Sequence, residues 1–367
     1  MKLCIYNVTA TTHFGGLETY AWELGRAMVA RGHQVDIIAG EGGGARNADV
    51  KLRTFPFISR GRFPNFGTRF RKLMERLSFA KNALPLIVEQ NYDAIIINKP
   101  YDLPAMWLGK RRGMRSKVLF RSGGTDFFAL DRFFAGAVDY WVSTSNYNAL
   151  QIERRFGCVV QRVPNGVDVS RFVRADSNPD LRRKWRVPED ATLLVSVGRL
   201  VGWKGLEVIL DAMVDLPNVH YVIVGQGESR PKLEEQARAL GILSRVHFAG
   251  LISHESLPAA LNECDVFVQP SIGEEAFGIS VVEAMAIGLP VILSRNGGMV
   301  EIIDDRISGL FCEPGNVAEW RSAIDLLACK PEYRCHLGTM ARQRVTQAFT
   351  WAANAKAIED IFGWGAN

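Results

Sequence analysis

Several features that would point to particular classes of protein are missing from this sequence. No apolar run reaches the roughly 18 residues that a membrane-spanning helix requires, and residues 1–6 read as the start of a strand rather than as a signal peptide. The six cysteines are scattered, with no C-x-x-C pair and no histidines at zinc-ligand spacing. No Gly-x-Gly-x-x-Gly motif follows the first strand. We therefore expect a cytoplasmic protein with reduced cysteines, and the sequence disfavours both a zinc protein and a dinucleotide-dependent dehydrogenase.

The composition is that of a folded globular protein. The chain has 367 residues, of which 47% are hydrophobic and 23% charged, which suffices for two ordinary domains and argues against extensive disorder. Apolar strands, glycine-rich turns and amphipathic helices alternate, which predicts α/β domains with parallel sheets covered by helices. A polar segment at 173–190 predicts a domain boundary. Strands are predicted at 3–8, 35–39, 94–98, 117–120, 140–143, 159–163, 193–197 and 290–293.

A basic aromatic segment, residues 57–81, stands out in a chain whose net charge is only +5. It is predicted to be a loop that leads into an amphipathic helix. One interpretation is a solvated helix face whose arginine stems lie on apolar surface. The other is contact with an anionic membrane surface or a lipid diphosphate, which a second basic stretch at 110–117 strengthens. No recognised nucleic-acid-binding module is present, so nucleic acid is not an expected partner.

Two cations follow the strand at 193–197. Arg199 and Lys204 are five residues apart in a loop that contains three glycines. At the carboxyl end of a parallel strand, such a loop suits a diphosphate, because each cation can reach different oxygens while the backbone stays close. Lys204 could instead be a solvated residue of a first helical turn. A lysine is mildly unfavourable there unless an anion compensates it.

The stretch 269–292 carries the most information. It reads as the end of a buried strand, a polar loop, a helix that begins near Gly278 and the start of another strand. Glu275 is predicted in the loop and Glu283 about two turns into the helix, which separates them by about 12 Å along the axis. The free N–H groups of the helix start suit a diphosphate, and Gly278 lets it approach. Taken alone, Glu283 is better interpreted as a solvated helix residue and Glu275 as a charge favoured by the helix start.

Motifs along the chain resemble those of the GT4 family, which are retaining glycosyltransferases of GT-B fold. The spacing of Glu275 and Glu283 resembles the family's Glu-x7-Glu motif, with Ala276 where the usual form has glycine. Residues 198–205 match the family's Gly-Arg-Leu-x-x-x-Lys-Gly motif, and residues 15–18 resemble its Gly-Gly-x-Glu turn. The matches follow the family's order over essentially the full length, and this joint agreement makes the resemblance specific.

The loop at 122–126 departs from the family pattern. Members often have His-Gly-x-Asp or a similar sequence there, with the histidine contacting the donor sugar, and this chain has Gly123 at that position. Asp126 is then the polar residue that remains. Residues 164–168 resemble the family's Pro-Asn-Gly-Val-Asp signature and are interpreted first as a tight turn.

The resemblance implies a GT-B fold with two Rossmann-like domains facing each other across a cleft. It implies an acceptor-side domain at 1–173, a nucleotide-sugar-binding domain at 174–349 and a C-terminal helix at 350–367 that crosses back to the first domain. The catalytic residues that it implies are Glu275, Lys204, Arg199 and Asp126. Its implied donor-binding residues are Gly15, Gly16, Arg199, Lys204, Gly250, Leu251, Glu275, Phe277, Gly278, Ile279 and Glu283.

The implied reaction is transfer of a sugar from a nucleoside diphosphate sugar to an acceptor hydroxyl, with retention of configuration. No Asp-x-Asp motif is present, so we expect no metal and no cofactor, with two cations in place of the metal charge. The expected acceptor is a lipid-linked saccharide of bacterial surface polysaccharide or glycolipid assembly, with segment 57–81 in peripheral contact with the inner face of the membrane. The alternatives are a non-catalytic sugar-nucleotide-binding or scaffold protein and a GT-B epimerase.

Overall fold

A computed structural model describes residues 1–13, 15–44, 49–124, 126–175 and 179–364. The chain divides into two compact units, one formed by Met1–Asn165 with Trp351–Asn367 and the other by Gly166–Thr350. Each unit contains a parallel sheet with helices. The predicted α/β class with two Rossmann-like units is therefore confirmed.

The first unit contains a seven-stranded sheet in the order β3-β2-β1-β4-β5-β6-β7. Its strands are β1 (Lys2–Tyr6), β2 (Gln34–Gly40), β3 (Lys51–Phe55), β4 (Ala94–Ile97), β5 (Lys117–Ser122), β6 (Tyr140–Ser143) and β7 (Val160–Arg162). Its first helices are α1 (Gly16–Ala30), α2 (Thr68–Gln90), α3 (Leu103–Arg111), α4 (Asp131–Phe134) and α5 (Asn146–Phe156). The strand order reverses between β1 and β4, and the carboxyl ends of strands at such a switch point are where ligands of α/β sheets bind.

Burial on both faces explains the apolar pattern of β1. In β1, Leu3 and Ile5 pack into the core beside α1, whereas Cys4 and Tyr6 pack into the core beside α2. A strand covered on both faces is an uninterrupted apolar run, which the sequence shows. Strand β3, which lies at the edge of the sheet and has no fully buried residue, was not predicted. Burial alone does not decide the outcome, since the buried strand β9 was also missed and the edge strand β7 was predicted.

The second unit contains a six-stranded sheet in the order β10-β9-β8-β11-β12-β13. Its strands are β8 (Thr192–Val197), β9 (Val219–Val224), β10 (Val246–Gly250), β11 (Val266–Gln269), β12 (Val291–Ser294) and β13 (Leu310–Cys312). Its helices are α6 (Pro179–Lys184), α7 (Leu206–Ala212), α8 (Arg230–Ala239), α9 (Leu257–Asn262), α10 (Ile279–Ile287), α11 (Val317–Cys329) and α12 (Pro331–Ala348). Here the switch point lies between β8 and β11.

The last helix, α13 (Trp351–Phe362), belongs to the first unit. Trp351 and Ile358 enter the core that contains α1. On the polar side of the helix, Glu359 accepts hydrogen bonds from the Arg31 guanidinium at 2.6 and 2.7 Å and lies 2.7 Å from Nε2 of His33. An apolar contact surface and a buried carboxylate thus fix this helix to the first unit.

The basic aromatic segment forms the predicted loop and the first part of α2. Arg76 does not face solvent: it is buried and forms an ion pair with Asp102 at 3.0 Å. Phe66 remains 75% exposed and contacts the ring of Phe70. Among the described residues, no helix combines the length and the apolar character needed to cross a bilayer.

Candidate functional site

The loop after β8 brings two cations to the switch point of the second sheet. It contains a 3₁₀ turn at Gly202–Lys204, which ends at Gly205. Gly205 has φ +65°, and a Cβ atom there would lie 2.2 Å from the carbonyl oxygen of Pro270. This contact packs the loop against the residue that follows β11. The side chain of Arg199 is exposed and makes no hydrogen bond or ion pair with a described residue.

Glu275 lies where three hydrogen-bond donors converge. Its Oε1 accepts from Nζ of Lys204, from Nε2 of Gln269 at 3.0 Å and from Oγ of Ser271 at 3.2 Å. The side chains of Lys204 and Glu275 are only 15% and 12% exposed, so solvent screens their attraction weakly. No described residue donates to Oε2 of Glu275. The arrangement provides a fixed carboxylate with one oxygen left for a ligand, beside a cation that an anionic ligand can recruit.

A turn after β12 fixes the backbone of this carboxylate. The N–H group of Gly298 donates to the carbonyl oxygen of Glu275 at 2.6 Å, and Nδ2 of Asn296 donates to the carbonyl oxygen of Gly273 at 2.9 Å. Gly297 has φ +57°, and a Cβ there would lie 2.4 Å from the carbonyl oxygen of Glu275. The loop that carries Glu275 is therefore fixed through its backbone as well as through the Glu275 side chain.

The structure confirms that a helix starts after Gly278, which has φ +136° and provides no side-chain cap. The first N–H groups of α10 have no partners within the helix and can bind an anion. Glu283 is the fifth residue of α10, little more than one turn from its start, so the predicted two turns were wrong. Ile279 is the first residue of the helix and is half-buried. The side chain of Phe277 is 3% exposed and belongs to the core of the unit, which leaves its backbone for any ligand contact.

A histidine that the sequence analysis did not single out holds Glu283. The carboxylate is 4% exposed, and its Oε1 lies 2.6 Å from Nε2 of His254. His254 follows β10, whose last residue, Gly250, has φ +72°. Leu251, the residue after Gly250, is 57% exposed. The carboxylate therefore has a fixed orientation before any ligand arrives.

In the first unit, Gly15 and Gly16 form the turn between β1 and α1. Gly15 precedes the helix and provides no side-chain cap. Oγ1 of Thr9 donates to Oε1 of Glu18 at 2.5 Å, and a Cβ at position 15 would lie 2.9 Å from Oε2 of Glu18. The buried Glu18 thus packs against Gly15, and the first N–H groups of α1 remain without helical partners.

Asp126 lies after β5, at the carboxyl edge of the same sheet. Its Oδ2 accepts from Nζ of Lys72 at 2.5 Å, and its Oδ1 accepts from the Tyr101 hydroxyl at 3.1 Å. Burial opposes ionisation, but the hydrogen bonds and the charge of Lys72 hold the pKa of Asp126 below its usual value. Asp126 is therefore an ionised carboxylate, and Lys72 of segment 57–81 has an internal partner. Thr125 lies outside the described residues.

Several of these partners were not predicted as site residues. Gln269 and Ser271 occur in the most informative stretch, and their only sequence signal was that polar residues follow a buried strand. His254 and Tyr101 belong to no motif. His254 lies 29 residues from Glu283 along the chain, and Tyr101 lies 25 residues from Asp126. The sequence alone does not show that these residues are in contact.

Models of two protein families match most of this chain. The model described as "Glycosyltransferase Family 4" matches residues 14–171, and the model described as "Glycosyl transferases group 1" matches residues 177–344. The two matches therefore cover the two units in turn.

Curated relatives show the same kind of similarity. An uncharacterized glycosyltransferase of Methanocaldococcus jannaschii is 30% identical over 55% of this chain and 53% of its own length. The chain spans about half the length of that relative and of three other curated relatives that it matches. A longer match is to a GDP-mannose-dependent alpha-(1-6)-phosphatidylinositol monomannoside mannosyltransferase of Mycobacterium tuberculosis, which is 25% identical over 95% of this chain and 94% of that protein.

A solved structure supports the fold over nearly the whole chain. HepE from Anabaena, in complex with UDP and glucose, superposes with a TM-score of 0.83 at 19% identity, covering 99% of both chains. The fold of this chain is therefore that of GT-B glycosyltransferases.

Proposed function

We propose that this chain, which belongs to the GT4 glycosyltransferases (also described as glycosyl transferases group 1), transfers a sugar from a nucleoside diphosphate sugar to an acceptor hydroxyl. The configuration of the sugar is retained. The bond between the anomeric carbon and the diphosphate breaks, and its electron pair remains on the phosphate oxygen. The acceptor oxygen forms the new bond on the same face of the sugar, and its proton passes to the leaving phosphate.

The observation that carries this proposal is the contact between Lys204 and Glu275 at the switch point of the second sheet. When the donor binds, its diphosphate draws Lys204 from the carboxylate, and the exposed Arg199 reaches other phosphate oxygens. The two cations then stabilise the negative charge that develops on the leaving group. This supports a reaction without a metal ion.

The two glutamates receive different parts of the donor. Glu275 has an oxygen, Oε2, to which no described residue donates, and this oxygen accepts from sugar hydroxyls. The charge of Glu275 stabilises an oxocarbenium-like centre. Glu283, oriented by His254, accepts from the ribose hydroxyls. The N–H groups that begin α10, after Gly278, donate to the phosphates. Asp126 is ionised and orients the acceptor hydroxyl.

A thermal-shift screen tests the donor class. UDP, GDP, TDP, ADP and their common sugars are added in the presence of a chelator, and we expect one nucleotide to raise the unfolding temperature selectively. The same nucleotide should shift Lys204→Met much less. A chain that no nucleotide stabilises at millimolar concentration would contradict the proposal.

We further propose that the acceptor is lipid-linked and that segment 57–81 contacts an anionic membrane. Support comes from Phe66, which is 75% exposed in a segment rich in arginine. We expect Phe66→Ser to weaken sedimentation with vesicles of phosphatidylglycerol and phosphatidylcholine several-fold. The matched control is Leu150→Ser, which removes another exposed apolar side chain of the same unit, 52% exposed on α5. Equal binding by the two variants would show that this segment is only a solvated surface.

A further inference from the structure

A cavity in the second unit lies at the edge of the sheet opposite the loop that carries Glu275. Its volume is about 420 Å³, which is within the range of small-molecule sites in proteins. Asp265 and Pro290 line it, and they immediately precede β11 and β12. Gln269, which donates to Glu275, is the last residue of β11. The four residues of β11 separate the two edges by about 13 Å. The cavity is therefore separate from the site that contains Glu275.

The walls of the cavity come from α12 and from the turn between α10 and β12. Gly338 of α12 packs directly on Gly288 of that turn, because a Cβ at position 338 would lie 2.1 Å from the carbonyl oxygen of Gly288. This close backbone contact fixes the helix against the turn. Apolar side chains and one face of α12 line the cavity beside this contact, namely Ile287, Leu289, Pro331, Cys335 and Thr339.

Three arginines also line the cavity, and two of them are held in place by main-chain carbonyl groups. Nη1 of Arg342 donates to the carbonyl oxygen of Phe172 at 3.1 Å and to that of Ala286. Nη1 of Arg334 donates to a carbonyl oxygen at 3.2 Å, and its Nη2 lies 3.7 Å from Oδ1 of Asp265. Both guanidinium groups therefore have fixed positions before any ligand binds.

The charges of these arginines are not balanced within the cavity. Asp265 is the only carboxylate among the described residues that line it, and its Oδ2 already accepts from a backbone N–H group at 2.8 Å and lies 3.5 Å from Arg182. Arg342 forms no ion pair with a described carboxylate. The third arginine, Arg174, is exposed and makes no hydrogen bond or ion pair with a described residue. Three arginines and one aspartate leave an excess of two positive charges.

A structural role accounts for only part of this arrangement. Ala286 lies in the last turn of α10, and a cation that binds the last carbonyl groups stabilises a helix end. This explains why Arg342 is there. It does not explain Arg174, which stabilises no described group, or why three guanidinium groups surround one cavity. An excess of cations at a cavity favours an anionic ligand.

We propose that this cavity binds a small phosphorylated molecule, with its phosphate among Arg174, Arg334 and Arg342. A phosphate monoester carries a charge of about −1.5 to −2 at neutral pH, which matches the excess of positive charge. The planar guanidinium group also matches the geometry of phosphate oxygens. The apolar wall receives the body of the ligand. This inference goes beyond the proposed function and does not depend on it.

An exposed thiol in the cavity provides a direct test of occupancy. Cys335 lines the cavity, whereas Cys329 is equally exposed but lies outside the lining and serves as the internal control. The full chain is alkylated with iodoacetamide in the presence of inorganic phosphate, glucose 6-phosphate or AMP, each at about 10 mM. The reference is glucose with sodium chloride at matched ionic strength. Peptide mass spectrometry gives the alkylation rate of each cysteine.

We expect a phosphate ester to protect Cys335 selectively. With a dissociation constant of about 1 mM, the probe slows alkylation of Cys335 about tenfold and leaves Cys329 within about 1.5-fold. Arg174→Gln removes one cation and should weaken binding at least about fivefold, so that protection falls to about threefold or less. The matched control is Arg238→Gln, which removes an exposed arginine of α8 outside the cavity and should retain the protection.

The other outcomes contradict the inference in whole or in part. If inorganic phosphate protects Cys335 as well as either ester does, the ligand is free phosphate and the role given to the apolar wall is wrong. If none of the three compounds protects Cys335, the inference is overturned. It is also overturned if Arg174→Gln retains full protection, because the arginines are then only structural.

Discussion

Replacing Lys204 by methionine separates the catalytic role of the Lys204–Glu275 pair from its structural role. Breaking a fully buried ion pair costs about 3–5 kcal/mol. Here the two side chains are 15% and 12% exposed, and Glu275 keeps its hydrogen bonds from Gln269 and Ser271. We therefore expect Lys204→Met to lower the free energy of unfolding by about 1–3 kcal/mol.

The expected effect on the reaction is larger. Losing one group that stabilises developing negative charge typically lowers turnover by about 10²–10³-fold, or about 3–4 kcal/mol of barrier. Urea unfolding and the rate of nucleoside diphosphate release measure the two effects. The control is Lys232→Met, which removes an exposed lysine of α8 and should change neither.

The double variant with Glu275→Gln distinguishes the two roles. Removing both charges should restore part of the lost stability, because no unpaired buried charge remains. It should restore no activity, because the cation that holds the diphosphate is still absent. If Lys204→Met, or the double variant, releases nucleoside diphosphate within about threefold of the wild-type rate, the pair is merely structural and the reasoning fails.

Two further predictions concern stability. Gly205→Ala should lower the free energy of unfolding by about 1–3 kcal/mol, because alanine is strained at φ +65° and its Cβ would lie 2.2 Å from a carbonyl oxygen. Gly202 lies in the same turn, and a Cβ there would meet no atom within 4 Å, so Gly202→Ala should be nearly neutral. Equal urea midpoints for the two variants would contradict this prediction. Burial and the neighbouring imidazole lower the pKa of His247 to about 4. Below about pH 6.5 the unfolded chain therefore binds a proton at His247, which the folded chain binds only near pH 4. Stability should therefore fall as pH drops from about 6.5 to about 4, and His247→Gln should make the fall measurably shallower.

Central strands such as β1 and β8 could be predicted because they are apolar runs buried on both faces, although the buried strand β9 was missed. The edge strand β3 carried no such signal. Glu275 and Lys204 could be predicted as site residues from their motifs, but their contact joins residues 71 positions apart in the chain, which only the fold establishes. The same limit applies to Lys72 and Asp126, which are 54 positions apart. Lys72 was interpreted as part of a basic surface, whereas its charge has an internal partner.

Gly123 illustrates a different limit. The sequence showed only that a family histidine is absent there. In the structure, a Cβ at position 123 would lie 2.8 Å from Cδ2 of Leu17 and 3.0 Å from Nη1 of Arg121. Alternation along β5 places Arg121 and Gly123 on one face of the sheet. Nothing in the sequence indicated that Arg121 would be buried with no ion pair to a carboxylate of the described residues.

The most direct test is to incubate the protein with the nucleotide sugar that stabilises it, with water as the acceptor and in the presence of a chelator. Proton NMR follows the release of nucleoside diphosphate and the anomeric configuration of the sugar when it first forms. We expect nucleoside diphosphate to be released without a metal ion, and we expect the first product to retain the anomeric configuration of the donor. Inversion of configuration would contradict the retaining mechanism. Binding without release would show that the chain is a sugar-nucleotide-binding protein rather than a transferase.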